Sequence, residues 1–170
     1  MISEKMSQAL NEQLNWEIYS SYVYASMASW MKGQNLNGFA NWMNIQVREE
    51  LDHAAMFYEF LHDLGADVEF EAVPKPNKSW EDVEAVFKET LEHERGVTSR
   101  INNLIDLALA DRDHATNARL QWFISEQVEE EASVLSIIQQ LQIAKNSPNA
   151  LFMIDRELAQ RVYNPPSKSE

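Results

Sequence analysis

Glu50 and His53 stand three residues apart in the run Glu49-Glu50-Leu51-Asp52-His53. On a helix that spacing puts a carboxylate and an imidazole on one face, one above the other. Stepping by threes and fours from Glu50 gives Gln46, Met43 and Phe39 backwards, then His53, Phe57, Phe60 and Leu64 forwards. A mostly apolar series at that spacing marks the side a helix buries. An ionised carboxylate there is costly unless it is paired or bound to a metal. The chemistry on offer is the pairing of that charge or the binding of a metal, and the rest of the sequence must supply one or the other.

The elements that must position this pair are long helices. Ser3 can cap a first helix running to about Lys32, before the breaker Gly33-Gln34-Asn35-Leu36-Asn37-Gly38. A second covers about 38–64 and ends at Gly65, suited to a left-handed C-cap. Ala66–Ser79, with Pro74 and Pro76, reads as an extended connection. Ser79 with Asp82 resembles a capping box opening a third helix to about Ala110. Asp111-Arg112-Asp113 turns into a fourth helix to about Lys145, which Ser147-Pro148 breaks. A short helix over about 149–161 and a loose tail over 163–170 complete a single domain. Four long helices with one long middle connection predict an all-α four-helix bundle of ferritin-like topology. About 14 connecting residues can span roughly 45 Å, the length of a 30-residue helix. The second and third helices can thus run parallel.

The inner stripes are Leu10, Leu14, Glu17, Ser21, Tyr24, Ala28, Met31 on the first helix and Val83, Phe87, Thr90, Glu94, Val97, Ile101, Leu104, Ala108 on the third. The fourth carries Leu120, Phe123, Gln127, Glu130, Val134, Ile137, Leu141. Each stripe is interrupted near its middle, and residues at mid-height meet at one level whichever way their helices run. One Glu in one seam reads more readily as a satisfied core residue; four coincident interruptions do not. The layer holds no Lys or Arg to neutralise Glu17, Glu50, Glu94 and Glu130. Four carboxylates sharing protons would be a heavy cost with no purpose. Two divalent cations would settle the charge, and hard oxygens with one imidazole suit iron or manganese.

Composition closes other routes. A formal charge of −13 argues against nucleic acid as a partner. The absence of cysteine excludes disulfides, thiolate metal sites and thiol nucleophiles. No apolar run approaches the roughly 20 residues of a membrane span. Met1-Ile2-Ser3-Glu4-Lys5 lacks a secretory pattern, so the cytoplasm is the expected compartment.

Glu17, Glu50-x-x-His53, Glu94 and Gln127-x-x-Glu130 resemble, position for position, the dinuclear ferroxidase centre of prokaryotic non-haem ferritins. The likeness extends to Asn11-Glu12-Gln13, Gln121-Trp122 and Ser125-Glu126-Gln127 and spans nearly the whole chain. It implies a hollow homo-oligomeric shell, a 24-mer, that oxidises Fe(II) with O₂ or peroxide and stores the ferric product. By the family pattern Glu17, Glu50 and His53 hold one iron, Glu94 and Glu130 the other, and Glu50 bridges. Gln127 would hydrogen-bond water or an oxygen species. Tyr24 matches a tyrosine kept beside the centre, where it can supply an electron; a core aromatic with a bonded hydroxyl fits the residue equally. Glu49, Glu126 and Glu129 each precede an inner-layer residue and are rotated the same way. The resemblance implies a third iron there, although such runs are usually solvated surface. Haem is not expected, because Asp52 stands where bacterioferritins hold a ligating methionine; Met43 and Met56 lie near. His62, His93 and His114 fall off the stripes and are expected at the surface without a metal role.

Overall fold

The computed structural model describes residues 2–145 and 147–166. Its elements are α1 (Glu4–Gly33), α2 (Asn37–Asp63), α3 (Val83–Ala110), α4 (His114–Ile143) and α5 (Pro148–Leu158), with no strand among the described residues. α1 packs along α2, α3 along α4, and α5 on α2. Met27 meets Thr90, and Tyr24 meets Glu94. α3 therefore descends as α1 ascends, and runs parallel to α2. This is the four-helix bundle with one long crossover, closed by a short fifth helix.

Local chemistry sets the ends. Ser3 accepts from Met6 N, as the sequence predicts, and Asp113 accepts from Thr116 N at the start of α4. Gly65 takes φ 67° beyond α2, with Ala66 N bonded back to Leu61 O. Three expectations are corrected. Asp82 is itself the cap of α3, accepting from Ala85 N, and no capping box with Ser79 forms. α4 does end before Ser147-Pro148, but α5 starts at Pro148 itself, one residue earlier than expected, because its missing N–H is one of the donors a helix start leaves free. α5 ends at Leu158, three residues earlier than expected.

The crossover is pinned to α1 by two asparagines. Asn11 donates to Asp67 O and accepts from Glu69 N; Asn15 donates to Glu69 O and accepts from Glu71 N. Further along, Ser26 donates to Asn77 O, so the connection follows α1 for about four turns.

The apolar interior is divided. One half gathers Met27, Met31, Phe39, Trp42, Met43, Phe87, Val134 and Leu141. The other gathers Leu10, Leu14, Phe57, Leu61, Val97, Ile101, Leu120 and Phe123. Between them lies the polar layer. The stripes predicted for α1, α3 and α4 are buried throughout. On α2 the stripe runs His53, Phe57, Leu61, leaving Phe60 and Leu64 half-buried, because the helix steps by four there and not by three.

The tail is tied down where the sequence suggests looseness. Tyr163 donates to Asp52 and lies beneath the Arg48 guanidinium. Residues 167–170 of the expected loose tail lie outside the described residues.

α5 is fastened to the start of α2. The Asp155 carboxylate accepts from Gly38 N at 2.8 Å and Phe39 N at 3.0 Å, filling donors that α2 leaves free. A Cβ on Gly38 would stand 1.5 Å from Asp155 O. Gly38→Ala is therefore expected to cost about 2–3 kcal/mol, the scale of an overpacked core. The check is a lowered thermal midpoint with faster hydrogen exchange confined to α5 and the start of α2.

Candidate metal centre

The layer between the two apolar halves is built by all four long helices, each contributing at mid-length. α1 supplies Glu17, α2 supplies Gln46, Glu50 and His53, α3 supplies Glu94, and α4 supplies Gln127 and Glu130; all are buried. Each sits on its stripe because the flanking turns are apolar and drive that face inward, carrying the polar residue with it.

Glu17, Glu50 and His53 offer ligand atoms that all lie within 4.8 Å of one another. Gln13, one turn before Glu17, donates to its Oε1 at 2.8 Å. The other oxygen, Glu17 Oε2, has no hydrogen-bond partner, and neither has Glu50 Oε2. His53 Nδ1 stands 3.6 Å from Glu50 Oε2, too far for a hydrogen bond. His53 is set edge-on against Trp122 and Phe123, which fix its ring plane. Ionised, these two buried oxygens have no donor and lack the positive charge that would stabilise them; protonated, Glu17 can donate to Glu50. A divalent cation fits this donor set, and the hard oxygens suit iron.

The second half of the layer is hydrogen-bonded. Tyr24 donates to Glu94 Oε1, and Gln127 Nε2 donates to Glu94 Oε2 at 3.1 Å. Gln46 Nε2 donates to Glu130 Oε2 at 2.9 Å. The carboxylates nevertheless feel one another. Burial raises the pKa of Glu17 and Glu50 well above the ordinary range; the charges of Glu50 and Glu94 respectively push further. Glu94 is raised by burial against the bonds from Tyr24 and Gln127. Glu130 is pushed up to about 8, by burial first and then by Glu94 and Glu49. Tyr24 is raised by burial and by Glu94, which keeps its proton on the phenol and in the bond. Without metal the layer holds protons that a cation would displace.

Glu49, Glu126 and Glu129 lie beside this layer, half-buried, half-buried and exposed respectively. Glu126 is raised by burial and by the charges of Glu129 and Glu49. Their oxygens are not drawn to a common ligand distance among the described residues. Glu49 is engaged instead by Arg161, whose Nη2 donates to Oε1 at 3.1 Å and Oε2 at 2.8 Å.

Of the histidines expected at the surface, His62 and His114 are exposed. His93 is not. It is half-buried, stacked on Trp16 and bonded to Ser20 Oγ at 2.7 Å, because the turn of α3 that points Glu94 inward lays His93 against α1. Burial and the Arg100 charge bring it down to about 4, so it is neutral. Gln13, Gln46 and Arg161 are the polar contributors that sequence reasoning did not assign to the site. Gln13 and Gln46 precede Glu17 and Glu50 by one turn, a signal that was available. Arg161 has none, since its partners lie over 110 residues away.

Among known proteins, the family model described as "Ferritin-like domain" matches residues 7–144. A bacterial non-heme ferritin of Staphylococcus aureus is 37% identical over 164 residues, covering 96% of this chain and 99% of that protein. One of Staphylococcus saprophyticus is also 37% identical over 164 residues, covering 96% and 98%. An open pore ferritin from the hyperthermophilic archaeon Archaeoglobus fulgidus superposes with a TM-score of 0.94 at 45% identity, covering 95% of this chain and 100% of that one. A humanized archaeal ferritin gives 0.96 at 44%, covering 97% and 100%.

Proposed function

The chain belongs to the ferritin family, and on that premise we propose that it is a ferroxidase that oxidises Fe(II) with O₂ or peroxide and stores the ferric mineral within a shell of 24 copies. Iron storage is the function that family membership and the Glu17, Glu50, His53 group support together. The observation that carries the finer reading is the pair of donorless buried oxygens on Glu17 and Glu50 beside His53.

In this reading Glu17, Glu50 and His53 take one Fe(II) as substrate, and Glu94 and Glu130 take a second, with Glu50 between them. Each Fe(II) gives one electron; O₂ takes both, with two protons, and leaves as hydrogen peroxide. Anionic oxygens favour the product ferric state over the ferrous one, which drives the step. Gln127, already bonded to Glu94, presents an amide to water or to the oxygen species. Tyr24, whose hydroxyl is bonded to Glu94, would give one electron, with its phenolic proton, where a single Fe(II) is bound and the oxidant still lacks its second electron. Glu49, Glu126 and Glu129 form the proposed third iron site. Haem is not part of the proposal.

Among the described residues no helix is long and apolar enough to cross a membrane. The cytoplasm is the proposed compartment. Exposed Ile143, Phe152, Met153 and Val162, at and around α5, supply apolar surface for contact between copies.

Aerobic addition of Fe(II), with particle size and iron measured in the same fraction, tests the reading. Storage predicts iron far above two or three per subunit, retained in one large soluble particle. Fast oxidation with the iron released or precipitated would point to a non-storing oxidase. Oxidation no faster than in buffer would leave only a metal-stabilised helical module.

A further inference from the structure

Past the end of α5 the chain places a guanidinium at the edge of the carboxylate layer. Arg161 Nη2 contacts both oxygens of Glu49, at 3.1 and 2.8 Å. Nη1 donates to Gln46 Oε1 at 2.6 Å and to Trp42 O at 3.4 Å, and the group lies 4.9 Å from the centre of the Trp42 ring. Its backbone is fixed as well: Asn41 Nδ2 donates to Leu158 O at 3.1 Å and to Arg161 O at 3.0 Å. An Arg used by both nitrogens, stacked on an aromatic face and anchored on either side, is a built contact rather than a chance surface pair.

Gln46 carries the contact inward. It is fully buried, and with its oxygen taken by Arg161 its amide hydrogens must face the other way, onto Glu130 Oε2 at 2.9 Å. A chain of three side chains thus runs from the end of the fifth helix to a carboxylate of the inner layer. The outer end stays open to solvent: the Arg161 and Glu49 side chains retain 26% and 18% of their exposure. A metal ion cannot use Glu49 while the guanidinium occupies both oxygens, and the two cations repel.

We propose that Arg161 is a tethered cation that holds Glu49 until metal displaces it, and that the exchange is passed through Gln46 to the presentation of Glu130. The proposal rests on the ferritin reading. Arg161 is a positioning residue: it touches no substrate at the inner layer, but it sets the affinity of the outer carboxylate and the orientation of the amide behind it.

The test uses the full-length assembled protein and Zn(II), a redox-inert probe, in equilibrium dialysis with metal analysis. Removing the competing guanidinium by Arg161→Ala is expected to tighten the Glu49-dependent binding step about 10-fold, the low end for a charge-assisted contact that is partly exposed. Arg161→Lys, which keeps the charge but not the fork, falls between. Glu49→Gln abolishes the step, and the double variant gains nothing from Arg161→Ala. In the wild type, filling that step should speed hydrogen exchange over residues 159–163, and Glu49→Gln should remove the change. Unchanged or weaker binding in Arg161→Ala overturns the proposal; a purely structural role would weaken binding by unseating α5. Unchanged protection of residues 159–163 on loading overturns it too. Zn(II) uptake that depends on Glu50 but not on Arg161 overturns this proposal alone. No Glu50-dependent uptake at all overturns it together with the ferritin reading.

Discussion

Glu50→Gln is expected to slow Fe(II) oxidation by at least 10- to 100-fold while making the metal-free protein more stable above neutral pH. The two effects have one origin. Glu50 is buried, its Oε2 has no hydrogen-bond partner, and burial and then the Glu94 charge hold its carboxyl well above the ordinary range. An amide of the same shape carries no charge to desolvate. Its new N–H₂ also brings a donor into a group that holds Glu17 Oε2, the other acceptor without one. The bundle should gain a few degrees in thermal midpoint at pH 8, the scale of about 1–2 kcal/mol in a chain of this size. The same change removes a carboxylate that belongs to the Glu17, Glu50, His53 group and also feels the charges of Glu94 and Glu130. Losing a supporting contact to a metal ligand typically costs 10–100-fold, and losing the ligand's charge costs at least that. The measurements are stopped-flow oxidation of Fe(II) and calorimetry of metal-free protein, on samples whose particle size matches the wild type. A variant that oxidises iron at the wild-type rate would remove Glu50 from the site. One slower in oxidation and also less stable would mean that the residue supports the fold and that the rate loss is secondary. Function held at the expense of stability has its expected location here, in a charged layer crossing an otherwise dry core.

The helical periods carried most of the architecture. Residues such as Phe87, Ile101, Leu120 and Ile137 repeat at three and four against charged neighbours, so the inward face could be found without coordinates. The layer was legible for the same reason: Glu17, Glu94 and Glu130 stood where the repeat demanded an apolar side chain. Short-range signals gave Ser3 and Gly65, whose partners lie within a turn. Asp82 was misjudged because Ser79, three residues earlier, offered an equally plausible oxygen for the same job, and only the chain direction after Pro76 chooses between them. What failed to show was contact between polar residues far apart in sequence. Asn11 and Asn15 look like ordinary exposed helix residues until the crossover is laid beside them. Arg161 looks like one more charge after a short helix. Its three partners are set by α5 docking on α2, which no local pattern encodes. The donorless oxygens of Glu17 and Glu50 were likewise invisible, since a periodicity names the residue in the core but not which of its atoms is left unpaired.

Stripped of metal, the protein is expected to lose stability as pH rises from about 4.5 towards 8, the reverse of the usual behaviour of paired carboxylates. Glu130 sets the window: its pKa is pushed up to about 8 in the fold, by burial first, against an ordinary value of 4.5 in the unfolded chain. Below 4.5 both states are protonated and the group contributes nothing. Between the two values the unfolded chain releases its proton while the folded one keeps it. The unfolded state then binds fewer protons, and the slope of unfolding free energy with pH is negative. Above about 8 both states are ionised and the loss levels off. Glu17, Glu50 and Glu94 shift in the same direction, chiefly through burial, and deepen the fall. A total on the order of a few kcal/mol is expected between pH 5 and 8. Bound metal changes the sign of the environment. A divalent cation among these oxygens favours their ionised form, so binding expels the protons and the pH dependence should flatten. Calorimetric scans at pH 5, 6.5 and 8, with and without Zn(II), check both halves. Repeating the metal titration in buffers of different ionisation enthalpy counts the protons released. A metal-free protein whose midpoint climbs from pH 5 to 8, or metal uptake that releases none, would mean that the four carboxylates are already ionised and neutralised by the protein itself. The cation would then have no reason to be there.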